Sequence, residues 1–106
     1  MLHHRSAVDV RDALAGRADV LLLDVREPAE YAIAHIAGAI LIPLRSLPSQ
    51  FETLPRDREI ILYCHHGVRS ETAGDFLVAQ GFSRVSHMRG GIDQWSDEVD
   101  RTIPKY

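Results

Sequence analysis

The feature that most constrains this chain is a series of short, unbroken apolar runs, "DVLLLDV" at 19–25, "AILIPL" at 39–44 and "EIILYC" at 59–64, separated by stretches of helical length. Runs this short, rich in branched residues and without polar alternation, read as strands buried on both faces, the pattern of a parallel sheet. The intervening stretches carry helix signals. Ser6 and Asp9 resemble a capping box ahead of Val8, Val10, Ala13 and Leu14, which predicts a helix over 7–15 stopped by Gly16. Pro28 opens a second helical segment, with Glu27 and Glu30 near its positive end and Gly38 closing it. A short helix over 49–54 begins at Ser49, and Ala73, Phe76 and Leu77 mark one face of a helix over 69–80 that Gly81 ends. "RVSHM" is a further strand, and "IDQWSDEV" a last helix carrying Trp95 before an irregular tail. Strands alternating with helices imply right-handed crossovers, a sheet covered on both faces, and ligand binding beyond the carboxyl ends of the strands. Cys64 stands at such an end.

Composition narrows the function classes. At 106 residues, with 45% hydrophobic and 25% charged, the chain is sized and composed as one globular domain, 1–106, burying roughly 60–70% of the surface it exposes when unfolded. A net charge of −3 with scattered basic residues argues against a nucleic-acid surface. The most apolar window, 32–44, is interrupted by His35 and Pro43 and is shorter than the ~20 residues of a membrane span. A single cysteine excludes an internal disulfide, and the first ten residues lack a signal-peptide pattern, so a reducing cytoplasm is the expected location. A monomer is the default expectation.

A lone cysteine is more often a small core residue than a nucleophile. Here, however, "CHHGVRS" leads from a strand end straight into a helix start, whose unpaired N–H groups favour an anion. For a cysteine that anion is the thiolate, the reactive form. Gly67 permits a tight turn, and Arg69 offers a planar guanidinium to an anionic substrate.

Taken together, "LLDVREPAEYAIAHIAGAILIPL", "YCHHGVRS" and "MRGGIDQW" resemble the rhodanese family of sulfurtransferases, in order and over nearly the whole chain. The resemblance implies a three-layer α/β fold with a five-stranded, mainly parallel sheet and helices on both faces. It implies Cys64 as the nucleophile that takes sulfane sulfur as a persulfide, held by N–H groups of the loop His65, His66, Gly67, Val68, Arg69 and Ser70. The donor would be a small anion such as thiosulfate or a protein persulfide. The acceptor would be a thiol, cyanide or a sulfur-carrier protein, and no organic cofactor or metal is needed. Some thiosulfate-using members carry cations inside the loop, where this chain has two histidines, a glycine and a valine, so thiosulfate is expected to be a poor donor.

Two other readings compete. A sulfur-carrier or partner-docking module would keep the same residues without turnover. A cysteine-dependent phosphatase or arsenate reductase needs five residues between cysteine and arginine, and only four separate Cys64 from Arg69. His65 and His66 are adjacent loop residues with no fourth ligand indicated, which argues against a metal site. Arg45 and Arg89 follow strands and are candidates for the pocket rim. Asp24, Arg26 and His35 are read as structural residues near the site, and His87 and Trp95 as packing residues.

Overall fold

The computed structural model describes residues 1–16 and 19–106. Five strands form one sheet: β1 (His3–Arg5), β2 (Val20–Asp24), β3 (Ile40–Leu41), β4 (Glu59–Tyr63) and β5 (Val85–Met88). Their order is β1-β5-β4-β2-β3, and every pairing among the described residues is parallel. The helices are α1 (Ala7–Leu14), α2 (Pro28–Ile33), α3 (Leu47–Gln50), α4 (Val68–Ala79) and α5 (Gly91–Glu98).

Every residue of β2 and β4 is buried, as their unbroken apolar runs require. The strand period of two divides their side chains between two cores. Leu21, Leu23, Ile60 and Leu62 pack with Leu47, Ala73 and Leu77 on the side of α3 and α4, whereas Leu22, Ile61 and Tyr63 pack with Val10, Ile92 and Trp95 on the side of α1 and α5. Each fully buried leucine or isoleucine contributes about 1.5–3 kcal/mol, so these two strands anchor the layers.

Local signals account for most boundaries. The Ser6 hydroxyl accepts the Asp9 N–H and the Asp9 carboxylate accepts the Ser6 N–H, completing the capping box of α1. Pro28 lies in the first turn of α2. Three expectations need correction. The "AILIPL" run yields only Ile40–Leu41 as strand, because the chain bends at Pro43 into a 3₁₀ turn at Leu44–Ser46. The predicted 49–54 helix is displaced: α3 starts earlier, with Pro48 in its first turn, and a second 3₁₀ turn covers Phe51–Thr53. The segment expected to run to Gly38 ends as helix at Ile33, and Gly38 instead takes a left-handed turn. The polar strand "HHR" carried no periodic signal and was not expected, yet it pairs in register with Ser86, His87 and Met88.

Candidate active site

Strand β4 is central, and Cys64 follows it directly, packed in the core beneath α4 with 1% of its surface exposed. The chain then turns at Gly67, whose φ of 112° belongs to the left-handed region glycine favours. A Cβ there would come within 3.1 Å of the Gly90 nitrogen. Around the sulfur, the Gly67 N–H donates at 3.1 Å, the Ser70 N–H at 3.4 Å, and the Ser70 hydroxyl lies 3.6 Å away. Both amides belong to the start of α4, where no intrahelical acceptor exists, so their dipoles meet at the sulfur and favour negative charge there.

The loop is also held from behind. The N–H groups of Ile92 and Asp93, at the start of α5, donate to the carbonyls of Cys64 and His65 at 2.9 and 3.1 Å. With those carbonyls turned outward, the loop keeps its N–H groups for the sulfur side. Gly91 makes this approach possible: its φ is 62°, and a Cβ would overlap the carbonyl groups of Cys64 and His65. The "RGG" segment, read from sequence as a turn, thus fits one helix start against the cysteine loop.

Arg69 lies beside the loop in a two-pronged ion pair with Glu30 of α2, at 2.6 and 2.9 Å. The Arg69 hydrogen bonds hold the Glu30 carboxyl down at about 2, against the cost of burial. Tyr106 joins this group from the chain's last described residue. Its hydroxyl donates to Glu30 at 2.9 Å and accepts from Arg26 at 2.7 Å, while its ring stacks on His65 at 4.1 Å. Burial pushes the Tyr106 phenol up to about 12. It also lowers the pKa of His65, helped by the neighbouring His66.

Asp24 and Arg26 are both fully buried. Arg26 donates to both Asp24 oxygens, to the Ala34 carbonyl at 2.7 Å and to Tyr106. Burial opposes its charge, but the hydrogen bonds of Asp24 and Tyr106 outweigh burial and its pKa is raised. Arg45 is exposed and paired with Glu27. Arg89 stands next to the loop, in a cleft of about 220 Å³ with His4, His66, Val68, Glu71 and His87. His35 is exposed, stacked on Tyr31 at 3.9 Å and hydrogen-bonded to the Tyr31 carbonyl at 3.0 Å, so its contacts lie on α2 and not on the loop. A larger cavity, about 800 Å³ and lined by Arg5, Asp9, Glu59 and Arg84, opens at the amino ends of the strands, away from the sulfur.

His87 does more than pack. It is buried on β5, with Nδ1 3.0 Å from the Ser70 hydroxyl and Nε2 2.7 Å from Nδ1 of His4. Among the described residues, two groups bring metal-capable atoms within 4.8 Å: His4, Glu71 and His87, and His65, His66 and Asp93. In the first, the ring nitrogens are hydrogen-bonded at 2.7 Å, whereas nitrogens about 2.0–2.1 Å from a tetrahedral ion stand roughly 3.3 Å apart. In the second, the two rings stack on each other and Asp93 is bound by Lys105 at 3.0 Å. Each set is held by its own hydrogen bonds and ring contacts. Glu30, Gly91, His87 and Tyr106 were not picked out from sequence as site residues. For Gly91 the signal was present in its Gly-Gly motif. For the other three it was not, because their partners lie far away along the chain.

A parallel α/β sheet whose central strand delivers one cysteine into a turn of converging amides defines a cysteine-loop α/β domain. Residues 6–98 match the rhodanese-like domain family. A sulfurtransferase from Allochromatium vinosum is 38% identical over 91% of this chain and 90% of its own length. The thiosulfate sulfurtransferase GlpE of Coxiella burnetii is 32% identical over 77% of both chains. Among solved structures, a rhodanese-related protein from Thermoplasma volcanium superposes with a TM-score of 0.83 at 33% identity, covering 92% of this chain and 93% of its own. The chain belongs to the rhodanese-like domain family, and its sulfurtransferase relatives support that activity at the level of the family. Among the described residues no helix is long and apolar enough to cross a membrane.

Proposed function

We propose that this protein is a sulfurtransferase in which Cys64 carries sulfur as a persulfide. The observation that supports it most directly is the convergence of the Gly67 and Ser70 N–H groups on the cysteine sulfur at the mouth of the central strand. In the loading step the Cys64 thiolate attacks the outer sulfur of a donor. With thiosulfate, the S–S bond of the donor breaks, sulfite leaves with the bonding pair, and Cys64 holds the sulfur as a persulfide anion. In the second step a thiol, cyanide or carrier-protein thiolate attacks that outer sulfur and the Cys64 thiolate leaves. Neither step changes the total charge or calls for a cofactor.

The geometry bears on the donor. The Arg69 guanidinium already balances the Glu30 carboxylate, so a small dianion must compete for it. This favours a protein persulfide over free thiosulfate. The carrier reading uses the same sulfur but predicts one loading event without turnover. The phosphatase reading is disfavoured by the four-residue spacing between Cys64 and Arg69.

Intact mass after incubation with thiosulfate, and then with a persulfidated cysteine desulfurase, tests the reading. A gain of one sulfur, removed by cyanide and absent in Cys64→Ser, is the expected result, with transfer in the variant at background. Turnover near wild type in Cys64→Ser, or no gain with either donor, would overturn it.

A further inference from the structure

Cys64 is 1% exposed, and a thiol so enclosed needs a neighbour that can take its proton. Of the hydrogen-bonding groups around its sulfur, the amides of Gly67 and Ser70 can only donate, whereas the Ser70 hydroxyl can also accept. That hydroxyl is 3.0 Å from Nδ1 of His87, Nε2 of His87 is 2.7 Å from Nδ1 of His4, and His4 is exposed. The groups line up from the buried sulfur to the surface. We propose that Ser70, His87 and His4 carry the Cys64 proton between sulfur and solvent, with His87 as the positioning residue that aims the Ser70 hydroxyl. The inference rests on the reading of Cys64 as a nucleophile.

The proton count balances. In the thiol state S–H donates to the Ser70 oxygen, the Ser70 O–H, which also has the Gly67 carbonyl as an acceptor at 3.1 Å, turns to Nδ1 of His87, and the Nε2–H of His87 donates to Nδ1 of His4. Moving each proton one bond along leaves a thiolate and a Ser70 hydroxyl that now donates to it. His87 then carries its proton on Nδ1, and the additional proton on His4 passes to water. No electron changes hands. The shuttle needs a neutral imidazole at its centre, with one nitrogen accepting and the other donating. Burial and then His4 lower the pKa of His87, and Arg89 acts in the same sense. Glu71 and Asp75, from α4, act the other way, and His66 shares the cleft.

The test is the rate of Cys64 alkylation by iodoacetamide across a pH series, on the full chain, where one cysteine makes the readout unambiguous. His87→Leu, which keeps apolar bulk at a buried position, should slow alkylation at neutral pH about tenfold, the scale of a lost hydrogen bond to a charged group. It should also remove the imidazole inflection from the pH profile. In His87→Ala, added imidazole should restore the rate, while pyrrole, which has no acceptor nitrogen, should not. His4→Ala, at an exposed position, should lower the rate to a smaller degree and carries the test if the His87 variants do not fold. Wild-type rates and pH profile in a folded His87→Leu or in His4→Ala, or equal rescue by pyrrole, would overturn the proposal. Alkylation uses no sulfur donor, so a wild-type chain that gains no sulfur but still shows the His87 dependence would sink the sulfurtransferase reading alone.

Discussion

Two neighbouring strand ends on the same edge of the sheet behave in opposite ways. At the end of β2, Asp24 and Arg26 close on each other, and the remaining guanidinium hydrogens are taken by Ala34, Tyr106 and the Glu30 carbonyl. At the end of β4, the Gly67 and Ser70 N–H groups gather around one sulfur atom in place of a carboxylate. The first arrangement neutralises a buried charge, whereas the second turns the positive ends of two dipoles toward a sulfur. The difference shows that what separates architecture from site along one sheet edge is the balance of donors and acceptors. Polarity alone does not do so. Tyr106 and Glu30 connect the two, linking Arg26 to Arg69.

The comparison can be broken most forcefully on the architectural side. Asp24→Ala leaves Arg26 charged and buried without its partner, and should cost about 3–5 kcal/mol in denaturant unfolding. The paired replacement Asp24→Leu with Arg26→Met should recover most of it. A loss below about 1 kcal/mol for the single variant would place Arg26 in contact with water and end the contrast. Next comes the backing of the loop. Gly91→Ala must strain a φ of 62° and push against the Cys64 and His65 carbonyls, a cost of about 1–3 kcal/mol in thermal unfolding. Its sulfur transfer should fall further than the folded fraction explains, because the amides lose their aim. Equal losses in both measurements would deny the loop any special dependence on α5. The smallest effect concerns Glu30. Glu30→Gln should free Arg69 and lower KM for thiosulfate a few-fold, whereas Arg69→Ala should raise it and leave alkylation of Cys64 nearly unchanged. Because the folded-state pKa of Glu30 is lowered from 4.5 to about 2, its stabilisation is complete above pH 4.5 and is lost as pH falls toward 2. Glu30→Gln should remove that part of the acid dependence, about 1 kcal/mol or less for a partly exposed pair, as read from unfolding at each pH.

The buried strands and the cysteine loop were legible in the sequence because their signals are local: an unbroken apolar run for β2 and β4, and a Cys-led, glycine-containing turn before a helix for the loop. β1 was hidden because three polar residues acquire strand structure only by pairing with β5, a preference no periodicity encodes. β3 was overestimated because hydrophobicity continues through Pro43 while the backbone geometry does not. The family pattern pointed to Cys64 and Arg69, but not to where Arg69 would point. That direction depends on Glu30, which sequence showed only as an acidic residue in the first turn of a helix. His87 read as a packing residue for the same reason, since Ser70 and His4 reach it only in the folded chain.

The bonds from Ile92 and Asp93 to the carbonyls of Cys64 and His65 also tie the shape of the loop to the order in which the chain folds. The cysteine is made well before α5, and β4 must find both β2 and β5 through non-local pairings that form slowly. Until α5 docks, the carbonyls of Cys64 and His65 lack these two donors, and the loop is held from the α4 side, where the Ser70 hydroxyl and the Glu71 N–H reach the Gly67 carbonyl. In a nascent or partly folded chain the sulfur therefore meets a looser loop, and the backing of that loop is complete once the last helix is in place.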